Sequence, residues 1–97
     1  MANRKATGEP YSQNEINDVW MKAIYETGNG AVERRKDCFG AIIQRNRYGD
    51  TTSLYGWEID HVIPSNDGGT DDMENLQPLQ WINNRKKAKL YPWRKCD

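Results

Sequence analysis

Histidine occurs once in this chain of 97 residues, at His61, and cysteine twice, at Cys38 and Cys96. Two thiols so far apart do not make a zinc knuckle, which needs close pairs. They leave room for one disulfide, although reduced thiols are the expectation for an intracellular chain. The opening residues, "MANRKATGEP", lack an apolar run, so no signal peptide is expected. No stretch approaches the length of a membrane span. There is no internal repeat and no low-complexity segment. These gaps point to a cytoplasmic protein with no membrane partner. Its small size allows one domain with a thin core.

Hydrophobic residues make up 36% of the chain and mean hydropathy is −1.02, so aliphatic side chains alone cannot fill that core. Four Trp and five Tyr offer more buried area per residue. Net charge is zero but segregated. Between Glu58 and Glu74 stand Glu58, Asp60, Asp67, Asp71, Asp72 and Glu74, with no base among them. Between Asn75 and Cys96 stand Arg85, Lys86, Lys87, Lys89, Arg94 and Lys95, with no acid. A second basic cluster is Arg34, Arg35 and Lys36. An acidic centre flanked by basic segments suits a metal site that meets a polyanion; two solvated faces would give the same pattern.

Residues 1–11 are polar and read as a flexible tail, followed by a single domain over 12–97. Ser12 and Glu15 have the spacing of a capping box, and Ile16, Val19, Trp20, Ala23 and Ile24 continue at helical spacing. This predicts a helix that runs to Gly28 or Gly30. "AII" at 41–43 reads as a short strand and "RYGDTTSLYG" as loop. "WEID" alternates, so Trp57 and Ile59 point to the core and Glu58 and Asp60 to the opposite face. A loop follows from Pro64 to Asn75, in which Gly68 and Gly69 suit positive φ. "LQPL" at 76–79 reads as an edge strand, since Pro78 removes one ladder donor. A helix is predicted from about Gln80 to Leu90, basic in its last turns and stopped by Pro92.

The order around His61 is thus strand, loop, short strand, helix. Along it lie Asp60 and His61, then Asn75 fourteen residues on, Asn84 nine further, and Lys87 three further. The stretch "DHVIPSNDGGTDDMENLQPLQWINNRKK", with "YGDTTSLYGWEIDH" at its upstream end, resembles the HNH endonucleases. It is most similar to small bacterial or phage-encoded members with Asn in the third motif position. The likeness covers roughly residues 37–90, with a motif core at about 57–90.

The resemblance implies an α+β fold, a small ββα-metal (His-Me finger) domain, here with an additional N-terminal helix. It implies a metal-dependent endonuclease that hydrolyses phosphodiester bonds in DNA, double-stranded DNA being the expected partner. His61 corresponds to the general base. Asn75 corresponds to the structural asparagine that holds the histidine across the loop. Asp60 and Asn84 correspond to the metal ligands. As hard oxygen donors they suit one divalent ion, Mg²⁺ or Mn²⁺, better than zinc. Many relatives carry cysteine pairs for a structural zinc; here those positions look like Gln80 and Asn83, so no structural zinc is expected, and Trp81 with its aromatic neighbours is left to hold the helix down.

Lys87 lies one turn after Asn84 and is expected to face the phosphate. Arg85, Lys86 and Lys89 would meet flanking phosphates, although for Arg85 and Lys86 individually a plain solvated face is the favoured reading. Glu58 shares the strand face of Asp60, as an auxiliary ligand or as a surface carboxylate. Tyr91 and Trp93 suit either core packing or base stacking. Two readings compete with cleavage: a nucleic-acid-binding module of the same fold, and an accessory subunit for a nuclease partner. The sequence leaves a protein partner or homodimer open.

Overall fold

The computed structural model describes residues 3–25 and 33–90. The first helix, α1 (Gln13–Trp20), begins at the expected box. Ser12 Oγ accepts the Glu15 N–H at 3.2 Å, and Glu15 Oε1 accepts the Ser12 N–H at 2.8 Å. The helix ends earlier than its apolar spacing predicts. Lys22 N–H donates to Val19 O and Ala23 N–H to Trp20 O, three-residue turns that tighten the chain out of the helix. The next residues become β1 (Ile24–Tyr25), which pairs with β2 (Arg34–Lys36), itself paired with β3 (Ile42–Gln44). This antiparallel three-stranded sheet takes Ile24 out of the predicted helical stripe and leaves it half exposed. Strand pairing has overridden a pattern that continues past the helix end. Gly28 and Gly30 lie outside the described residues.

The second half of the chain is the ββα unit. Strand β4 (Trp57–His61) runs antiparallel to β5 (Leu76–Gln80), in a register that sets Trp57 opposite Gln80, Ile59 opposite Pro78 and His61 opposite Leu76. Helix α2 (Trp81–Leu90) follows β5 without a connecting residue. Its first residue is tied twice: Trp81 N–H donates to Gly56 O at 3.0 Å, and the indole Nε1–H donates to Ser53 O at 2.8 Å. The chain is therefore small α+β, with β4, β5 and α2 as the ββα element and α1 as the added helix. No helix among the described residues is long and apolar enough to cross a membrane.

Aromatics carry the core, as the composition demands. Trp20 and Trp57 are fully buried with ring centroids 5.2 Å apart, and Tyr48 meets Trp57 edge-on at 5.0 Å. Such contacts are worth about 0.5–1.5 kcal/mol each beyond the area they bury. Val19, Ile43, Ile59 and Leu76 complete the cluster, so α1, β3, β4 and β5 share one core. Ile59 faces inward as the alternation of "WEID" predicts.

Three features depart from the sequence reading. Residues 3–11 contain no helix or strand, yet they are tied down rather than loose. Asn3 Oδ1 accepts the Ile59 N–H at 2.9 Å, and Tyr11 is buried in the core. Cys38 is disulfide-bonded rather than a reduced thiol; its partner lies outside the described residues. Asp37, an unremarked acid in the sequence, is 1% exposed and accepts from four donors. These are the N–H groups of Phe39, Ala41 and Gln80 and the side-chain amide of Asn83, at 2.9–3.0 Å. This node locks the β2–β3 turn to the junction of β5 and α2. It occupies the corner of Gln80 and Asn83.

Candidate active site

Strand β4 delivers Asp60 and His61 to the mouth of the loop over 62–75, and α2 crosses behind them. Asp60, His61, Asn84, Arg85 and Lys87 line one cavity of about 380 Å³, together with Asn3 and loop residues 64–67. The motif residues thus converge from a strand, a loop and a helix. A second cavity of similar volume lies elsewhere, between Lys22, Asp37, Cys38 and Pro78, and no motif residue lines it.

Asn75 closes the loop on itself. Its side-chain oxygen accepts the Ile63 N–H at 2.8 Å, and its amide donates to Ile63 O at 3.1 Å and Thr70 O at 2.9 Å. Its backbone oxygen accepts the Val62 N–H at 2.8 Å. One side chain therefore binds both arms of the loop next to His61. It does not line the cavity, so its part there is support. The glycines of this loop serve two different ends. Gly68 sits at φ 91°, where a side chain would be strained. Gly69 has no positive φ; a Cβ there would stand 1.7 Å from Ile63 O, so its hydrogen atom is what lets the loop arms touch.

Asp60 is half-buried and held by two donors. Gln77 Nε2 donates to its Oδ2 at 2.8 Å, and Lys87 Nζ lies 3.1 Å from the same oxygen. Burial raises its pKa, and the donors from Gln77 and Lys87 oppose that rise without cancelling it. Lys87 is 2% exposed and also donates to His61 O at 3.3 Å. The spacing after Asn84 predicts that this lysine faces the phosphate, and Lys87 does line the cavity with Asp60, His61 and Asn84. It is buried there because α2 packs this face on β4, and it supplies a counter-charge to the carboxylate of Asp60.

Asn84 is buried and donates its amide to Glu58 Oε1 at 3.0 Å; Arg85 meets the other Glu58 oxygen at 3.1 Å. Glu58 is 4% exposed, so it is neither a surface carboxylate nor part of the cavity wall. It clamps α2 to β4 and orients Asn84. With its nitrogen committed to Glu58, Asn84 offers its oxygen as its remaining polar group. Arg85, Lys86 and Lys89 are exposed, and Arg85 lies over the Trp81 ring. Tyr91 and Trp93 fall outside the described residues.

His61 is only 10% exposed at its side chain, and its Nε2 lies 2.8 Å from Asp71 Oδ1. The sequence reading had no role for Asp71; nine residues separate the pair, and the loop that Asn75 closes brings them together.

Among the described residues no group of three His, Cys, Asp or Glu is placed to hold a metal ion. Among the residues that line the cavity, Asp60 offers a carboxylate and Asn84 a carboxamide. Such a pair fits a hard cation that takes most of its shell from water and phosphate, and not a zinc ion closed in by protein ligands.

Comparison with known proteins gives one match. Residues 45–89 match the family model described as HNH endonuclease. No curated protein and no solved structure matches the chain. The matched stretch contains Asp60, His61, Asn75, Asn84 and Lys87, and it spans β4, β5 and nearly all of α2. Residues 45–89 of this chain thus belong to the HNH endonuclease family.

Proposed function

We propose that this protein is a metal-dependent endonuclease that hydrolyses phosphodiester bonds in DNA, with His61 as general base. The observation that carries the reading is the convergence of Asp60, His61 and Asn84 on one open cavity beside exposed Arg85. Hydrolysis needs a base for the attacking water and positive charge for the phosphate. His61 takes the proton from water as its oxygen attacks phosphorus, and the bond to the 3′ oxygen breaks. A divalent cation, Mg²⁺ or Mn²⁺, held through Asp60 and Asn84 would neutralise charge on the phosphate and leaving oxygen. Lys87 in this reading faces the phosphate from the cavity wall while it holds Asp60 and the backbone of His61 in register. Glu58 keeps the oxygen of Asn84 directed to the cavity. Arg85, Lys86 and Lys89 meet flanking phosphates, which gives salt-dependent affinity with little sequence preference.

The test is a plasmid nicking assay on the pure protein in Mg²⁺, in Mn²⁺ and in EDTA, with His61→Ala alongside. The expected result is nicked circles that require metal and vanish in the variant. His61→Ala should still bind the ion, as measured by calorimetry. Intact plasmid in every lane with folded protein would instead favour a binding module or an accessory subunit.

A further inference from the structure

We infer that Asp71 is a positioning residue for His61: its carboxylate fixes the imidazole as the Nε2–H tautomer and leaves Nδ1 as the nitrogen that takes the proton. The catalytic consequence rests on the nuclease reading above; the tautomer does not.

Asp71 Oδ1 stands 2.8 Å from His61 Nε2. Burial works against its charge, but hydrogen bonds from His61 and from the Ala6 N–H outweigh it, so its carboxyl sits below the usual range and is ionised at neutral pH. An ionised carboxylate only accepts, so the hydrogen between the two belongs to Nε2. A second neighbour agrees. The Tyr11 hydroxyl lies 3.5 Å from the same nitrogen and donates its one hydrogen to Arg4 O at 3.0 Å. What Tyr11 turns toward Nε2 is therefore a lone pair. Two acceptors flank Nε2, and an accepting nitrogen there would have no donor. Nor does Asp71 line the cavity that His61 lines, so it engages the ring outside the space where a substrate would sit.

The carboxylate is itself held in place. The Ala6 N–H donates to both of its oxygens, at 2.9 and 3.1 Å. Asn75 holds Thr70 O, the carbonyl just before it. The N-terminal segment and the structural asparagine thus act on the histidine through Asp71. Orienting a ring through its far nitrogen is the general device by which a neighbour chooses which nitrogen is basic.

The test uses the full chain with ¹⁵N-labelled histidine. One histidine makes the assignment unambiguous. Long-range ¹H–¹⁵N correlation at a pH where the ring is neutral reads the tautomer directly. The wild type should show a protonated Nε2 and an unprotonated Nδ1, and Asp71→Ala should average toward a mixture. In the nicking assay Asp71→Ala should lower kcat about 10- to 100-fold, the usual scale for loss of such a supporting partner, with KM little changed. If Asp71→Ala does not fold, Asp71→Asn keeps the shape with a weaker acceptor and should lower kcat in the same sense. A wild type with Nδ1 protonated, or a tautomer unmoved in the folded variants, overturns the inference. If the wild type cuts nothing, the nuclease reading fails, and the tautomer arm alone decides the Asp71–His61 pair.

Discussion

Lys87 Nζ lies 3.1 Å from Asp60 Oδ2, and both groups are withdrawn from solvent. A cation and an anion so placed must be read together, because the burial that raises the pKa of Asp60 would favour its neutral form without Lys87. The pair also sets a condition on metal binding. Any ion that reaches Asp60 shares the carboxylate with an ammonium already in contact with it.

Lys87→Met separates this reading from a surface phosphate contact. It keeps the stem and removes the charge, so Asp60 is left buried without its ion partner. The variant should lose about 3 kcal/mol of stability in urea unfolding without metal. Mg²⁺ should recover part of the loss, because the carboxylate no longer shares its charge with lysine. A variant of unchanged stability but weaker DNA binding would return Lys87 to the phosphate surface.

Asn75→Ala removes an acceptor from Ile63 and donors from Ile63 O and Thr70 O. The two bonds to Ile63 are part-buried, and a buried group left without a partner costs about 1–3 kcal/mol, so a loss of about 2 kcal/mol is expected in thermal or urea unfolding. Activity should fall at temperatures where the variant is still folded, because Thr70 and Asp71 lose their anchor. Full activity in the folded variant would mean that the loop keeps its shape without the asparagine.

The ββα unit was legible because its signals are local. The alternation of "WEID", the glycine-bearing loop, the edge strand with Pro78 and the basic last turns of α2 each lie within a few residues. The spacing from Asp60 to Lys87 then ties them to one another. What the sequence hid depends on long-range contact. Asp71 meets Ala6 across 65 positions, and Asp37 meets Gln80 across 43. Nothing local marks either acid among its neighbours. Strand β2 reads "RRK", a charge cluster, and becomes a strand only because β1 and β3 flank it. The burial of Lys87 was hidden for a related reason. Helical spacing correctly puts it on the face of Asn84, but only the packing of α2 on β4 shows that this face is buried.

Asp37→Ala tests the node at the corner of Gln80 and Asn83. The substitution strands the buried N–H of Gln80 and the part-buried donors of Phe39, Ala41 and Asn83. At about 1–3 kcal/mol for each unsatisfied group, even partial rehydration leaves a loss of several kcal/mol in urea unfolding. A loss below about 1 kcal/mol would mean that water replaces the carboxylate without cost.

Glu33 is one source of pH dependence. The indole N–H of Trp20 donates to its carboxylate at 2.7 Å, and Arg45 and Arg35 approach at 3.0 and 3.2 Å. The Trp20 hydrogen bond is the main cause that lowers its pKa below the ordinary value of 4.5, with the arginines adding to it against a burial penalty. A lowered carboxylate contributes stability that is present above its unfolded pKa and lost as pH falls through its folded pKa. The gap in stability between wild type and Glu33→Gln should therefore be steady near neutral pH and shrink below about pH 5. Urea unfolding at pH 7, 5 and 3.5 measures it. A gap that stays constant or widens toward acid would show that Glu33 acts through the shape of its hydrogen bonds, which glutamine largely keeps, and not through its charge.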